Sequence, residues 1–296
     1  MSTEKCGYVA IVGRPNVGKS TLLNHLLKQK LSITSQKPQT TRYRVMGIHT
    51  EGDAQIIFVD TPGWQRRPPR GINRVMNREI RGALTGVDLA LLVFDARMWH
   101  EDDAAVLSQV NAQNIPVIAV ANKIDLAQDK RKLLPVIDEV RNAGDVMDIV
   151  PISAERDDAL EALVQVIHQH LPARPHEFPP DQLTDRNMRF LAAEIVREKL
   201  MRMFGEEVPY SSSVVIENYE ETPTLVRISA AIWVERPGQK QIVIGKGGEM
   251  LKSVGTAARR DIEKLTGTKV FLELWVKVRE NWADDVRALH ELGFDE

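Results

Sequence analysis

In the N-terminal half of the chain, short and nearly unbroken apolar runs alternate with stretches whose apolar positions recur at helical spacing. The runs at 8–12, 55–60, 88–94, 116–121 and 148–152 predict strands, and helices are predicted to begin near Lys19, Asp102, Lys130 and Asp157. A run such as Leu89-Ala90-Leu91-Leu92-Val93-Phe94 has no polar face. Such strands are buried on both sides, and strands separated by helices pair in parallel through right-handed crossovers. The segment 42–50, followed by Glu51-Gly52-Asp53 and the next apolar run, predicts a hairpin that adds one antiparallel edge strand. The predicted fold class is α/β, with a mostly parallel sheet.

The pattern breaks at 171–184, where prolines 172, 175, 179 and 180 remove backbone donors and forbid a continuous helix. This places one domain at 1–172, a proline-rich linker at 173–184 and a second domain at 185–296. In the second, Asp185 is positioned to cap a helix running through Phe204. Strands follow at 213–219 and 225–233, joined near Pro223, then a helix over about 248–265 and a strand at 268–275. This is a smaller α+β unit.

Composition narrows the class. With 296 residues, 43% hydrophobic and 27% charged, the chain has the make-up of a soluble globular protein of about two domains. A single cysteine, Cys6, excludes an internal disulfide and fits a small core residue ahead of a reducing, cytoplasmic setting. The first apolar run is too short for a signal peptide, and no stretch nears the ~20 apolar residues of a membrane span. The net charge of −2 neither demands nor forbids a nucleic-acid partner.

Gly13-Arg14-Pro15-Asn16-Val17-Gly18-Lys19-Ser20 follows a strand and opens a helix, the setting of a phosphate-binding loop. Its glycines let backbone amides face an anion, the helix start adds positive potential, Lys19 reaches the outer phosphates and Ser20 offers a hydroxyl to Mg2+. Gly13, Asn16, Val17, Gly18 and Thr21 complete the cradle. Asp60-Thr61-Pro62-Gly63 ends the third strand, where Asp60 can hold the metal and the Gly63 amide can sense a terminal phosphate. Asn122-Lys123-Ile124-Asp125 ends the fifth. A carboxylate at Asp125 accepts two hydrogens from the edge of guanine, which adenine cannot supply. Ser153-Ala154-Glu155 follows the sixth, with a small Ala154 that brings a backbone amide near guanine O6.

These motifs, in this order, resemble the translation-factor-related GTPases, and GRPNVGKS, DTPG, NKID and SAE together are similar to the Era group of bacterial GTPases. The resemblance implies GTP as substrate, GDP as product and Mg2+ as cofactor. It implies a switch threonine at Thr41, with Thr40 as the alternative, so that Ser20, Thr41 and Asp60 hold the metal while Lys19, Ser20 and Thr41 serve catalysis. Asn16 either shapes the loop or helps hold K+. Trp64 stands where many small GTPases place a water-orienting glutamine. Its apolar side chain is expected to turn away, and Gln65 is read as an exposed residue without a catalytic part.

In the second domain Gly245-Lys246-Gly247-Gly248 precedes an amphipathic helix. Glycines at both ends let a nucleic-acid backbone approach the main chain, Lys246 adds charge, and Ile244 and Val254 are the expected apolar neighbours of the bases. From Arg236 to Arg260 six basic residues face the single acid Glu249. Helix, two strands, GxxG, helix and strand resemble the type II KH domain that follows the GTPase domain in the Era group. The resemblance covers nearly the whole chain. It implies binding of 16S ribosomal RNA near its 3′ end, assistance to small-subunit (30S) maturation, a monomer, and a cytoplasmic protein with peripheral contact at the inner face of the membrane. Two other readings stand beside it: a nucleotide-binding RNA-binding protein without significant hydrolysis, and a small-molecule kinase sharing the phosphate loop.

Overall fold

The computed structural model describes residues 4–64, 71–127, 131, 133–205 and 207–294. Lys130 and Gln65 lie outside the described residues. The chain divides into two compact units, Met1–Pro68 with Met76–Asp185, and Pro69–Val75 with Arg186–Glu296.

The first unit holds six strands: β1 (Lys5–Val12), β2 (Val45–Glu51), β3 (Ala54–Asp60), β4 (Leu89–Asp95), β5 (Val117–Asn122) and β6 (Asp148–Pro151). They form one sheet in the order β2-β3-β1-β4-β5-β6. Only β2 runs antiparallel, paired to β3 through the Glu51–Ala54 turn. Every residue of β3, β4 and β5 is buried, because helices cover both faces of a parallel sheet. The helices are α1 (Lys19–Leu26), the part of α2 (Gly71–Ala83) from Met76 onward, α3 (Glu101–Asn111), α4 (Leu133–Ala143) and α5 (Leu160–His170). Helix α2 falls outside the helix starts read from the sequence, although Met76, Ile80 and Leu84 form a buried stripe with period four. The predicted start at Asp157 moves to Leu160, since Asp157 and Ala159 both adopt left-handed backbone angles.

The proline-rich stretch packs along the first unit. Gln55, buried within β3, accepts from the amides of Glu177 and Phe178 at 2.8 and 3.0 Å and donates to the Phe178 carbonyl at 2.8 Å. Farther on, Ile48 donates to the Leu183 carbonyl at 2.9 Å and Thr184 Oγ1 to the Met46 carbonyl at 2.7 Å, so this segment satisfies the open edge of β2.

The second unit contains α6 (Met188–Met203), the short α7 (Val208–Ser211), β7 (Ser212–Glu221), β8 (Leu225–Val234), α8 (Pro237–Ile244), α9 (Glu249–Thr266), β9 (Lys269–Val278) and α10 (Val286–Glu291). Its sheet order is β7-β8-β9, with β7 antiparallel and β9 parallel to β8. Asn187, not Asp185, caps α6: its Oδ1 accepts from the Phe190 amide at 2.9 Å, while Asp185 accepts from Met46 at 3.3 Å. Helix α8 is also absent from the sequence reading. Pro237 opens it, and Gln239 Oε1 accepts from the amides of Glu235 and Arg236, both at 3.0 Å. Val254, Ala258 and Ile262 on α9 meet Val226, Ile228 and Val270 of the sheet in one core.

Candidate functional site

The loop between β1 and α1 owes its shape to two glycines. Gly13 has φ 147°, and a Cβ there would lie 2.3 Å from the Val93 carbonyl oxygen; Gly18 has φ 101°, and a Cβ would lie 2.3 Å from Asn122 Nδ2. Side chains are excluded at both, so main chain lines the cradle. Lys19 begins α1, is 6% exposed, and donates to the carbonyls of Gly13 and Arg14 at 3.0 and 3.1 Å. Burial pulls its pKa down to about 8 against the opposing pull of Asp60 and Asp103.

Ser20 Oγ lies 2.7 Å from Thr41 Oγ1 and donates to Asp60 Oδ2 at 2.8 Å. Three elements thus bring three oxygen donors together. Thr40 turns elsewhere, with its hydroxyl 2.6 Å from both the Lys37 carbonyl and Ser35 Oγ. Asp60 is fully buried, and among the described residues its Oδ1 meets no donor in good hydrogen-bond geometry. Burial raises its pKa, opposed first by Lys19 and then by the Ser20 hydrogen bond. Oxygen donors with an unsatisfied carboxylate atom fit a small hard cation such as Mg2+. An open cleft lies beside them, lined among others by Asn16, Gly18, Lys19, Thr21, Thr41 and Gly63. A Cβ on Gly63 would lie 2.9 Å from the Pro15 backbone, so the DTPG turn closes against the phosphate loop only as glycine. Trp64 packs toward the cluster containing Val12, Leu84 and Val106, away from that cleft.

Asn122 joins three loops. Its Nδ2 donates to the Val17 carbonyl at 2.8 Å, and its Oδ1 accepts from Lys123 N at 2.8 Å and Ala154 N at 3.0 Å. The Ala154 amide, read from sequence as a donor to guanine O6, is here engaged with Asn122. Ser153 also plays an unforeseen part: its hydroxyl donates to Asp125 Oδ1 at 2.7 Å and aims that carboxylate. Arg14, which the sequence reading left without a role, donates through Nε to both oxygens of the fully buried Asp103, at 3.1 and 3.0 Å. Asp103 shows in sequence only as an acid in the first turn of α3, so its contact with Arg14 could not be seen there.

In the second unit Gly245 has φ 73°, and a Cβ would lie 2.7 Å from Met250 Cγ. Gly247 and Gly248 have φ 61° and 83° with open space around them, and Lys246 is exposed. Val254 corrects the sequence reading. It is 0% exposed and belongs to the core, because the stripe that makes α9 amphipathic points at the sheet. Ile244 also packs against that core, whereas Ile242 on α8 is 56% exposed. Arg236, Lys246, Lys252 and Arg260 are exposed; Arg259 spends its charge on Glu263 at 3.0 Å. On α6, Arg197 is buried against Glu194 and Arg202 pairs with Glu198 at 3.1 Å, so both stabilise the unit itself.

Residues 8–123 match the family described as 50S ribosome-binding GTPase, and residues 207–283 match the KH domain family. Fold and loops together define a P-loop GTPase with a C-terminal KH domain. A GTPase Era from Coxiella burnetii is 52% identical over 296 residues, covering all of both chains, and one from Vibrio parahaemolyticus is 50% identical over 98% of this chain and 92% of its own. The chain belongs to the GTPase Era family and is a GTPase of that family. A crystal structure of an Aquifex aeolicus Era variant bound to GDP and aluminium fluoride superposes with TM-score 0.95 at 42% identity, over 99% of this chain and 100% of the other. An Era complex with MgGDPNP and nucleotides 1506–1542 of 16S ribosomal RNA gives the same score, identity and coverage. No helix among the described residues is long and apolar enough to cross a membrane.

Proposed function

We propose that this GTPase is a guanine-nucleotide switch that binds 16S ribosomal RNA near its 3′ end and assists maturation of the small ribosomal subunit. Domain 1–172 binds the nucleotide, 173–184 connects, and 185–296 binds RNA as a monomer. The reading is carried by the meeting of Ser20, Thr41 and Asp60 beside Lys19, next to a loop in which Ser153 aims Asp125. Asp125 takes the guanine edge, with Asn122, Lys123 and the Ser153-Ala154 turn shaping the pocket. Lys19 and the amides of Gly13, Asn16, Val17, Gly18 and Thr21 hold the phosphates, while Gly63 approaches the terminal one. Mg2+ held by Ser20, Thr41 and Asp60 would neutralise charge on the outer phosphates when bound. Trp64 is unsuited to orient water, so hydrolysis rests on electrostatic stabilisation by Lys19 and the loop amides, and K+ near Asn16 would add to it.

Loss of the terminal phosphate releases the segments around Thr41 and Gly63, and this change alters RNA binding by the Gly245-Lys246-Gly247-Gly248 loop. The RNA complex of the family member with 1506–1542 supports that target. The protein acts in the cytoplasm, where that RNA resides; contact with the inner face of the membrane is a separate property, read by sedimentation with anionic vesicles. The deciding experiment loads labelled GTP with Mg2+, challenges it with ATP, and crosslinks RNA in the GTP-loaded and GDP-loaded forms. GTP alone should displace the label, Asp125→Asn should shift preference to xanthine nucleotides, and crosslinking should differ between the two forms. Equal displacement by ATP overturns the guanine assignment, and equal crosslinking overturns the switch.

A further inference from the structure

We propose that Asp95 is a positioning residue for the nucleotide base, acting through the ammonium of Lys123. Asp95 ends β4 and pairs in register with Asn122 at the end of β5, so the sheet places it beneath the base-recognition loop. Its side chain is 10% exposed. Arg97 donates to it through Nε at 2.9 Å and Nη2 at 2.8 Å, and Lys123 Nζ stands 3.3 Å away. Burial pushes the carboxyl up, but the Arg97 hydrogen bonds and the Lys123 charge outweigh it and hold the pKa at about 2. Asp95 is therefore an anion throughout the neutral range.

Lys123 needs such an anchor. Its backbone is left-handed, at φ 68°, and its Nζ donates to the Asn16 carbonyl at 2.6 Å. The side chain spans from the loop that carries Asp125 to the loop that carries Lys19. A nucleotide whose base meets Asp125 and whose phosphates meet Lys19 must cross that span, where the alkyl stem of Lys123 offers the ring an apolar wall. A lysine tied only to a neutral carbonyl retains several rotamers, and ordering them on binding costs affinity. Asp95 fixes the ammonium beforehand, and Arg97 fixes Asp95 by donating one hydrogen bond to each of its oxygens, Oδ1 and the Oδ2 that also faces Lys123. Sequence hides the device, because Asp95 and Lys123 meet only through the pairing of β4 with β5.

The inference rests on the guanine-nucleotide reading above. Its test compares the full-length chain with Asp95→Asn, Lys123→Met and the double variant, measuring labelled GDP and IDP affinity and steady-state GTP hydrolysis. Asp95→Asn should raise the Kd for GDP and the KM for GTP about tenfold, the scale of one charge-assisted hydrogen bond, with kcat unchanged. GDP and IDP should suffer equally, since the wall meets the ring face and not the exocyclic amine. The double variant should bind no worse than Lys123→Met, because Asp95 acts through that ammonium. An unchanged Kd, a loss confined to kcat, or losses that add in the double variant overturns the proposal. Should Asp95→Asn yield no folded protein, Lys123→Met alone keeps the stem, loses the ammonium and must show the same rise; an unchanged Kd in it overturns the proposal. Failure of the unaltered chain to retain GDP would instead remove the guanine reading itself.

Discussion

Lys19 is held in two opposed ways. Burial disfavours its charge and brings its pKa from 10.5 to about 8, yet the phosphates it is proposed to meet need that charge. In the nucleotide-free protein the proton leaves above about pH 8, and binding phosphate must restore it, so affinity falls as pH rises. Between about pH 7 and about pH 9 the Kd for GDP should increase roughly tenfold. Titration calorimetry at both values reads it, together with proton uptake on binding at the higher pH; equal affinity at both removes Lys19 from the phosphates. Stability of the free protein moves the opposite way. The unfolded lysine keeps its proton up to 10.5, so between about 8 and 10.5 raising the pH favours the fold. Lys19, Ser20, Asp60 and Asp125 were legible as residues because their chemistry is tied to short motifs. Asn122 and Ser153 stand in the same motifs, but their contacts, Asn122 with the Val17 carbonyl and Ser153 with Asp125, join positions 105 and 28 apart and are not written along the chain.

At the scale of elements, periodicity read the buried strands and the helix after GKGG well, because burial on both faces or on one stripe leaves a plain mark. It failed at α8, an eight-residue helix with Pro237 and Gly238 at its start, where composition signals a turn more strongly than a helix. It also placed Val254 beside the bases, although the helical phase turns that residue inward. What remains outward at the end of α8 is a glycine loop with positive φ at Gly245, Gly247 and Gly248 and empty space at the last two. Gly247→Asp fills that space with a side chain and a negative charge just where a nucleic-acid backbone would pass. It should weaken RNA binding by about tenfold or more through lost approach and added repulsion, while GTP affinity stays unchanged. Filter binding with RNA and labelled nucleotide separates the two, and unaltered RNA retention would take the loop out of the interface.

Across the whole molecule, charge is unevenly spread. A chain with net charge −2 concentrates six basic residues between Arg236 and Arg260, but folding disposes of some of them. Arg259 pairs with Glu263, leaving Arg236, Lys246, Lys252 and Arg260 as the exposed cations of that stretch. If these four each meet a phosphate, a double-logarithmic plot of RNA affinity against salt should have a slope of about −3, and Lys252→Ala should reduce it by about 0.7. A slope near zero would move the RNA elsewhere.

Local chemistry was readable from the order of residues alone: which loop follows which strand, where glycine is required, and which acid can meet which partner. Those properties depend on near neighbours and on burial periodicity, both written along the chain. Which side chains meet across the fold was settled only by folding. Asp95 reaches Lys123, Asp103 reaches Arg14 and Gln55 reaches the proline-rich strap through strand register and helix phase, and these are products of packing distant segments into one core.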